Sequence, residues 1–254
     1  MAAPTQVIII DSSPTATHFC AHLIYNPDGR IGKGTFKTAN RATLEFDNSR
    51  PLLGLGSRGT DKLAVALKRP FLNVKPVSKQ RAGLRSDSTA VPVSRYTVAD
   101  EQHSVTGEAK LLVWANALLE FAYEFILDYA RKIANSPRLG GVDFWEKIPT
   151  FRFVEAGVAV VTKPLEKTPA GKPSTQRATY LLEEMLPGSP ADFVKYMNNA
   201  DATTILERDD PDYHLAEFLM FVQHVQYQIT HGTAYISDFQ GKLIFEYHFD
   251  SGLI

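Results

Sequence analysis

Residues 108–133 read EAKLLVWANALLEFAYEFILDYARKI and carry the most regular apolar pattern in the chain. Large or small apolar side chains recur there every three or four positions, at Leu111, Ala115, Leu118, Ala122, Phe125, Tyr129 and Ile133. That spacing is typical of one face of an amphipathic α-helix. We predict a helix from Glu108 to Ile133, with Thr106 as its N-cap and Gly140-Gly141 beyond its end.

The chain before this helix reads as short strands separated by turn residues. Between residues 6 and 75 the strand-like runs are QVIIID, HLIY, TFKTA, ATLEF and LAVALK. The segment Asn26-Pro27-Asp28-Gly29 has the composition of a tight turn. We predict a curled antiparallel sheet here, followed at residues 76–105 by an exposed loop or an irregular insertion.

The chain after the helix alternates strand and helix patterns. The runs FRFVEAGVAVV (151–161) and TYLLEE (179–184) predict strands that continue the sheet across the loop Pro164–Arg177. A second amphipathic helix is predicted from about Asp212 to Ile229, and the chain closes with TAYIS, DFQG and KLIFEYHF. The predicted apolar face of this second helix consists of Leu215, Leu219, Val222 and Val225. Together these elements predict an α+β protein with a cleft between two lobes.

Composition excludes several classes of function. The 27 basic and 28 acidic residues nearly cancel, so no overall field recruits nucleic acid or an anionic membrane. A single cysteine, Cys20, excludes an intrachain disulfide framework and multi-cysteine zinc sites, and it favours a reducing compartment. The N-terminal MAAPTQVIIIDSSP lacks the pattern of a secretory signal or membrane anchor. We expect a soluble cytoplasmic protein; its oligomeric state is left open.

Lys68 is the first candidate for chemistry. It ends a strand on which Val65 and Leu67 face one way and Ala66 and Lys68 the other. A strand lysine that points into a cleft can neutralise nucleotide phosphates, whereas a solvated lysine is the alternative interpretation. Glu108 can pair with Lys68, or it can simply favour the first turn of a helix dipole.

Three other segments have two interpretations each. In Gly32-Lys33-Gly34-Thr35-Phe36-Lys37 the glycines let backbone amides approach an anion, or they form a hairpin turn. Glu183 can accept hydrogen bonds from a nucleotide base or ribose, or, like Glu184, close a strand at the surface. Asp238-Phe239-Gln240-Gly241 offers an acid and an amide oxygen that can orient a hydroxyl and bind Mg²⁺, or it is the turn of a hairpin between TAYIS and KLIFEYHF.

His224 lies next to Val225 on the second predicted helix, where a histidine is more often packed than catalytic. The seven histidines and one cysteine include one HxxxH spacing, from His18 to His22, but no HExxH or CxxC pattern, and the chain contains no GxSxG. Metal-dependent hydrolysis, thiol nucleophiles and serine nucleophiles therefore have no support in the sequence.

The order of these segments resembles the alpha-type protein kinase family over about residues 31 to 241. The matching runs are IGKGTFKTANRATL, VALKRPF, EAKLLVWANALLEFAYEFI, IPTFRFVEAGVAV, TYLLEEM, FVKYMNN and EFLMFVQHVQYQITHGTAYISDFQG. The resemblance implies roles for nine residues: phosphate cations Lys37 and Lys68, hinge acid Glu183, cleft residues Lys195, Asn198 and Asn199, helix histidine His224, catalytic acid Asp238 and metal ligand Gln240. Lys37 replaces the family's arginine, and Glu184 replaces its proline.

The resemblance also implies a two-lobed fold and an activity. Residues 1–30 are expected to form an N-terminal strand segment, residues 31–186 a nucleotide-binding N-lobe and residues 187–254 a C-lobe. After Gly241 the chain departs from the family pattern, whose metal-binding aspartate and zinc module are missing, so the C-lobe is expected to be incomplete. The implied reaction is ATP- and Mg²⁺-dependent phosphorylation of Ser/Thr in a protein substrate. Two alternatives remain: a catalytically impaired nucleotide-binding module, and an unrelated interaction protein.

Overall fold

The computed structural model describes residues 5–11, 18–46, 55, 61–72, 94–134, 148–161 and 178–242. In these ranges the chain forms, in order, β1 (Thr5–Asp11), β2 (His18–Lys33), β3 (Lys37–Phe46), β4 (Lys62–Pro70), α1 (Val98–Ala134), β5 (Ala156–Val161), β6 (Thr179–Glu184), a 3-10 turn (Pro190–Asp192), β7 (Val194–Lys195), α2 (Tyr213–Ile229) and β8 (Gln240–Gly241). Gly140-Gly141, the loop Pro164–Arg177 and most of KLIFEYHF lie outside the described residues.

Six strands close into one antiparallel sheet, in the order β1-β2-β3-β4-β6-β5 with β5 pairing back to β1. The α+β class and the curled antiparallel sheet are therefore confirmed. TFKTA and ATLEF fall largely within one strand, β3, which pairs with β4 from Lys37↔Pro70 to Glu45↔Lys62. β5 and β6 pair across the intervening loop, as predicted, although residues 151–155 of FRFVE form no strand.

Strand alternation divides the side chains of this sheet between two faces. Strand residues of the inner face pack with Leu55 and Ala178 into the main core, which consists of Ala21, Leu23, Ala42, Leu44, Phe46, Leu55, Val65, Leu67, Ala159, Val161, Ala178, Tyr180 and Leu182. On the outer face Val158 and Leu181 pack against Val105 and Ala109 of α1. Because neighbouring residues of a strand point to opposite faces, Val65 and Leu67 are buried inside while Lys68 lies outside.

The predicted turn at Asn26–Gly29 is wrong, because β2 continues through it to Lys33. The pairing of β2 with β3 shifts register between Tyr25 and Arg30. Buried Asn40 of β3 accounts for this irregularity: its Nδ2 donates to the carbonyls of Asn26 and Pro27, at 3.1 Å each. A neighbouring strand thus satisfies the carbonyls, and the chain bulges instead of reversing.

The reversal between β2 and β3 occurs at the glycine segment. The backbone N–H of Gly34 donates to the carbonyl of Lys37 at 2.8 Å, which closes the turn. The predicted boundary at residue 30, between the N-terminal strand segment and the N-lobe, falls inside β2. β1 belongs to the same closed sheet as the strands after that boundary.

Helix α1 begins ten residues earlier than predicted, and Thr106 lies inside it. Thr97 precedes the helix, and its Oγ1 accepts the backbone N–H of Asp100 at 3.2 Å and donates to the Asp100 carboxylate at 2.7 Å. Side-chain capping of this kind satisfies a backbone donor that the first helical turn leaves free. The loop predicted up to residue 105 is therefore helical from Val98 onwards.

The periodicity predicted α1 correctly but does not mark its buried side. The buried residues of α1 are Glu101, Val105, Ala109, Leu119, Ala122, Ile126 and Ala130. Most of the predicted apolar row is not buried: Leu111, Phe125 and Tyr129 are 68, 45 and 61% exposed. The helix thus carries two apolar rows, and the packed row contains the smaller side chains.

Two compact units share the chain. The first unit consists of the described residues up to Trp114 and those within Phe153–Leu186. The second unit consists of the described residues within Ala115–Arg152 and from Pro187 onwards. In the second unit α2 spans the predicted residues, and all four predicted apolar positions on it are buried. Neither described helix combines the length and hydropathy that crossing a membrane requires.

Candidate functional site

Three sequence-predicted residues of the first unit lie on the outer face of the closed sheet. Lys37 pairs in register with Pro70, and Lys68 pairs with Ala39, so the two lysines are diagonal neighbours on adjacent strands. Glu183 pairs with Ala66 and is the diagonal neighbour of Lys68 on the other side. Such neighbours have Cα atoms about 7–8 Å apart, within reach of long side chains. The sheet therefore brings Lys37, Lys68 and Glu183 into one row.

Both lysines of this row form ion pairs. Lys68 Nζ donates to Glu183 Oε2, and the two side chains are 30 and 15% exposed. Lys37 Nζ donates to Glu108 Oε1 of α1, and both are about one-third exposed. Both interpretations of Glu108 are wrong: it pairs with Lys37 and not with Lys68, and it lies ten residues after the start of α1 and not in its first turn. The four charges cancel, so an anion that enters here competes with two carboxylates.

Two small residues, Gly32 and Ala39, adjoin Lys68 on the sheet. Gly32 pairs with Ala39, which in turn pairs with Lys68, so these residues follow one another across β2, β3 and β4. A Cβ built on Gly32 would meet no atom within 4 Å, and one built on Gly34 would meet the Lys37 carbonyl at 3.7 Å. The folded chain itself does not require glycine at Gly32. The open space over it leaves room for a ligand beside Lys68.

A third ion pair, which the sequence reasoning missed, anchors the end of β4. Arg69 follows Lys68 and points to the inner face, where its Nε and Nη2 donate to Glu101 of α1 at 2.5 and 3.2 Å. Glu101 is almost fully buried and also accepts the backbone N–H of Thr179 at 3.1 Å. Burial opposes the charge of Arg69, but the hydrogen bond and charge of Glu101 outweigh it and raise the arginine's pKa. The sequence did contain a signal for this residue: in a strand, Arg69 must point to the face opposite that of its neighbour Lys68.

Lys195, Gln240 and Asp238 come together in the second unit. β7 and β8 form a short antiparallel pair in which Lys195 stands opposite Gln240. Lys195 Nζ lies 2.9 Å from Asp238 Oδ1, and the two side chains are 42 and 54% exposed. The described residues contain no group of three His, Cys, Asp or Glu side chains that could hold a metal ion. Asp238 and Gln240 provide two oxygen donors, the ligand chemistry that Mg²⁺ prefers when phosphate and water complete its shell.

The backbone at Asp238 is unusual and is fixed from its C-terminal side. Asp238 has φ 60°, in the left-handed region that non-glycine residues adopt infrequently. Phe239 is buried, and its carbonyl accepts N–H groups from Tyr196 at 2.9 Å and Met197 at 3.3 Å. Residues that hold such a conformation cluster at active sites and ligand clamps.

Two buried glutamines of α2 fix the loop on the N-terminal side of Asp238. Gln223 Nε2 donates to the carbonyl of Ile236, and Gln226 Oε1 accepts the N–H of Ile236, both at 2.9 Å. Within the described residues, Gln226 Nε2 is buried and has no hydrogen-bond partner. The sequence reasoning missed these residues; the signal was two amides among the apolar positions of α2, three residues apart.

The hairpin interpretation of Asp238–Gly241 is wrong for the described residues. TAYIS forms no strand, and Gln240-Gly241 pairs with β7. The packed interpretation of His224 is also wrong, because His224 is exposed between the buried Gln223 and Val225. Asn198 is half-buried and Asn199 exposed, a short distance along the chain from Lys195.

Comparison with known proteins gives one family. The model of the alpha-kinase family matches residues 118–250, which is 133 of the 254 residues. The match includes Glu183, Lys195, Asn199, Asp238 and Gln240, begins after Lys68, and continues past Gly241, further than the resemblance alone indicated. Comparison with curated protein sequences found no match. On the strength of the family match, this chain belongs to the alpha-kinase family.

Proposed function

We propose that the chain is a serine/threonine protein kinase that transfers the γ-phosphoryl group of ATP to a protein hydroxyl in a Mg²⁺-dependent reaction. The main support is the row formed by Lys37, Lys68 and Glu183 beside the open surface over Gly32. Two ammonium groups side by side can bind adjacent phosphates of a nucleotide, and each keeps donors to spare because an ammonium has three.

In the proposed reaction Lys68 and Lys37 bind phosphate oxygens and reduce their repulsion of an incoming nucleophile. Gly32 and Gly34 allow the backbone to approach the phosphates, and Glu183 accepts hydrogen bonds from the nucleotide. Charge neutralisation of this kind supplies most of the rate in phosphoryl transfer.

Asp238 is the proposed catalytic carboxylate. It accepts a hydrogen bond from the substrate hydroxyl and takes its proton as the oxygen bonds to the γ-phosphorus and the bond to the β,γ-bridging oxygen breaks, releasing ADP. Lys195 holds the Asp238 carboxylate from one side, and Asn199 is assigned to nucleotide binding by the family resemblance. Gln240 would hold Mg²⁺ with its amide oxygen; when bound, the metal neutralises phosphate charge.

A nucleotide-binding protein with impaired transfer is the second candidate. It is favoured by the ion pairs themselves: Glu183 occupies Lys68, and Lys195 occupies Asp238. A protein in which these pairs persist would bind nucleotide weakly and leave no free carboxylate for the substrate hydroxyl.

The test combines nucleotide binding with γ-phosphate transfer to a mixture of basic proteins. Lys68→Met should weaken ATP binding about tenfold or more, the cost of losing a hydrogen bond to a charged group. Asp238→Asn should keep ATP binding and lower transfer about 100-fold or more. Asp209→Asn, at an exposed acid of the same unit, is the matched control. Binding without transfer in the unaltered protein would select the second candidate, and absence of ATP binding would reject both.

A further inference from the structure

The part of α1 that belongs to the second unit exposes a straight row of aromatic side chains. Phe121, Phe125 and Tyr129 are 50, 45 and 61% exposed. Residues four apart on a helix lie above one another, so the three rings follow one line about 12 Å long. A single exposed aromatic residue is ordinary, but a contiguous apolar row is typical of an interaction surface.

Packing within the second unit leaves this row uncovered. Tyr123, on another side of the same helix, packs against Phe218 of α2 and hydrogen-bonds to Pro149 and Phe151. Ala122 and Ile126 are buried as well. The helix therefore meets its own unit through one side and presents Phe121, Phe125 and Tyr129 on another.

An acidic row runs beside the aromatic one. Each aromatic residue directly follows an exposed acid, in the pairs Glu120-Phe121, Glu124-Phe125 and Asp128-Tyr129. Consecutive residues on a helix lie about 100° apart, so the acids form a parallel line one position around the helix. Asp128 pairs with Lys132 at 2.6 Å. Glu120 and Glu124 form no salt bridge with any residue that the structure describes.

We propose that this acidic aromatic ridge, formed by residues 120, 121, 124, 125, 128 and 129, docks a basic amphipathic helix of a partner protein. The partner's apolar side covers Phe121, Phe125 and Tyr129, while its flanking Lys or Arg side chains pair with Glu120 and Glu124. Helices bind such surfaces through residues at one-turn spacing, which matches the spacing of the two rows. The proposal is independent of the kinase proposal.

Charge argues against a second copy of this chain as the occupant. An antiparallel pair centred on Phe125 brings Glu124 of each copy close to Asp128 of the other, and a parallel pair sets every acid opposite itself. Like charges in apposition disfavour an interface. A helix with basic flanks has no such conflict.

The test uses two synthetic helical peptides of about 18 residues, long enough for the whole row. One has leucine on one side and lysine on the other; the second has glutamate in place of lysine. Binding of each labelled peptide to the full chain is followed by fluorescence anisotropy without nucleotide. The lysine peptide should bind and the glutamate peptide should not. Replacing Phe121 and Phe125 by serine should weaken binding about tenfold or more.

A charge reversal makes the test independent of any loss of folding. Glu120→Lys with Glu124→Lys should exchange the preference, so that the glutamate peptide binds and the lysine peptide does not. Glu217→Lys with Phe221→Ser, an exposed acid and aromatic pair on α2, is the matched control and should leave binding unchanged. The proposal would be overturned if both peptides bind equally or if the control variant weakens binding as much. It would also be overturned if neither peptide binds and the chain instead self-associates in a way that Phe121→Ser abolishes.

Discussion

Lys68 of β4 donates a hydrogen bond to Glu183 of β6, so the residues assigned to the phosphates and to the base of one nucleotide form a single ion pair. The pair spans the outer face of the closed sheet, and Glu183 is its more buried member. A phosphate that binds Lys68 must therefore share this ammonium group with Glu183 or displace the carboxylate.

Glu183→Gln should raise the affinity for inorganic tripolyphosphate several-fold, because it removes the carboxylate that competes for Lys68. If Glu183 also contacts the base, the same variant should improve ATP binding less than tripolyphosphate binding. Isothermal titration of both ligands measures the two effects. Glu45→Gln, which breaks the pair with the exposed Lys62 on the same sheet, is the control and should change neither affinity. Unchanged tripolyphosphate affinity in Glu183→Gln would contradict the assignment of Lys68 to phosphate.

The left-handed backbone of Asp238 gives a prediction about stability. An L-residue with a Cβ costs about 1–2 kcal/mol in this region, whereas glycine enters it freely and asparagine more easily than alanine. The exposed ion pair with Lys195 should contribute little. We therefore expect Asp238→Gly to be about 1 kcal/mol more stable than Asp238→Ala, with Asp238→Asn between them. Urea unfolding of the three variants checks this order, and an alanine variant at least as stable as the glycine variant would contradict it.

Local patterns correctly predicted the buried side of those strands and helices in which the apolar residues follow a single period. The alternation in LAVALK placed Lys68 opposite Val65 and Leu67, because a strand with one buried face has a period of two residues. The four apolar positions of α2 are all buried for the equivalent reason in a helix. In both elements the Leu and Val side chains lie on one face, so the period also identifies the buried side.

The sequence could not determine features that depend on contacts between distant segments. In α1 the row with Phe125 and the row with Ile126 fit one helical period equally well, and only packing decides which is buried. Glu108 had two lysines within reach in principle, and the position of α1 selects Lys37. The residues Asn26–Gly29 read as a turn until Asn40, on a neighbouring strand, provides donors for their carbonyls.

Gln226 should control the mobility of the loop before Asp238 with little effect on global stability. Gln226→Leu removes the acceptor of the Ile236 N–H but also removes a buried donor that lacks a partner within the described residues. Losing a hydrogen bond costs about 0.5–1.5 kcal/mol, and removing an unsatisfied buried donor offsets that cost. We expect amide exchange at Ile236 to accelerate up to about tenfold while the unfolding free energy changes little.

Gln228→Leu is the control for this loop prediction, since Gln228 is exposed on the same helix. It should leave Ile236 exchange unchanged. Exchange that stays equally slow in Gln226→Leu would show that the glutamine does not hold the loop.

Tyr123 should make the second unit sensitive to alkaline pH. Its hydroxyl donates to the Pro149 carbonyl at 2.7 Å and accepts the Phe151 N–H at 2.8 Å. Burial raises the pKa of Tyr123 from 10.0 to about 12, and the hydrogen bond from Phe151 offsets only part of this effect. Because the folded state favours the neutral phenol, stability is fully present below pH 10 and is lost as the pH rises through the folded pKa of about 12.

Tyr123→Phe removes both hydrogen bonds and should lower the unfolding free energy by about 1–2 kcal/mol at pH 7. The difference from the unaltered protein should shrink between pH 10 and 12, because only the unaltered protein has Tyr123 to ionise. Denaturant unfolding at a series of pH values measures this difference directly, and effects common to both proteins cancel. Tyr129→Phe, at an exposed tyrosine of the same helix, should show no difference at pH 7. A Tyr123→Phe difference that stays constant from pH 7 to 12 would mean that the hydroxyl is not buried in these contacts.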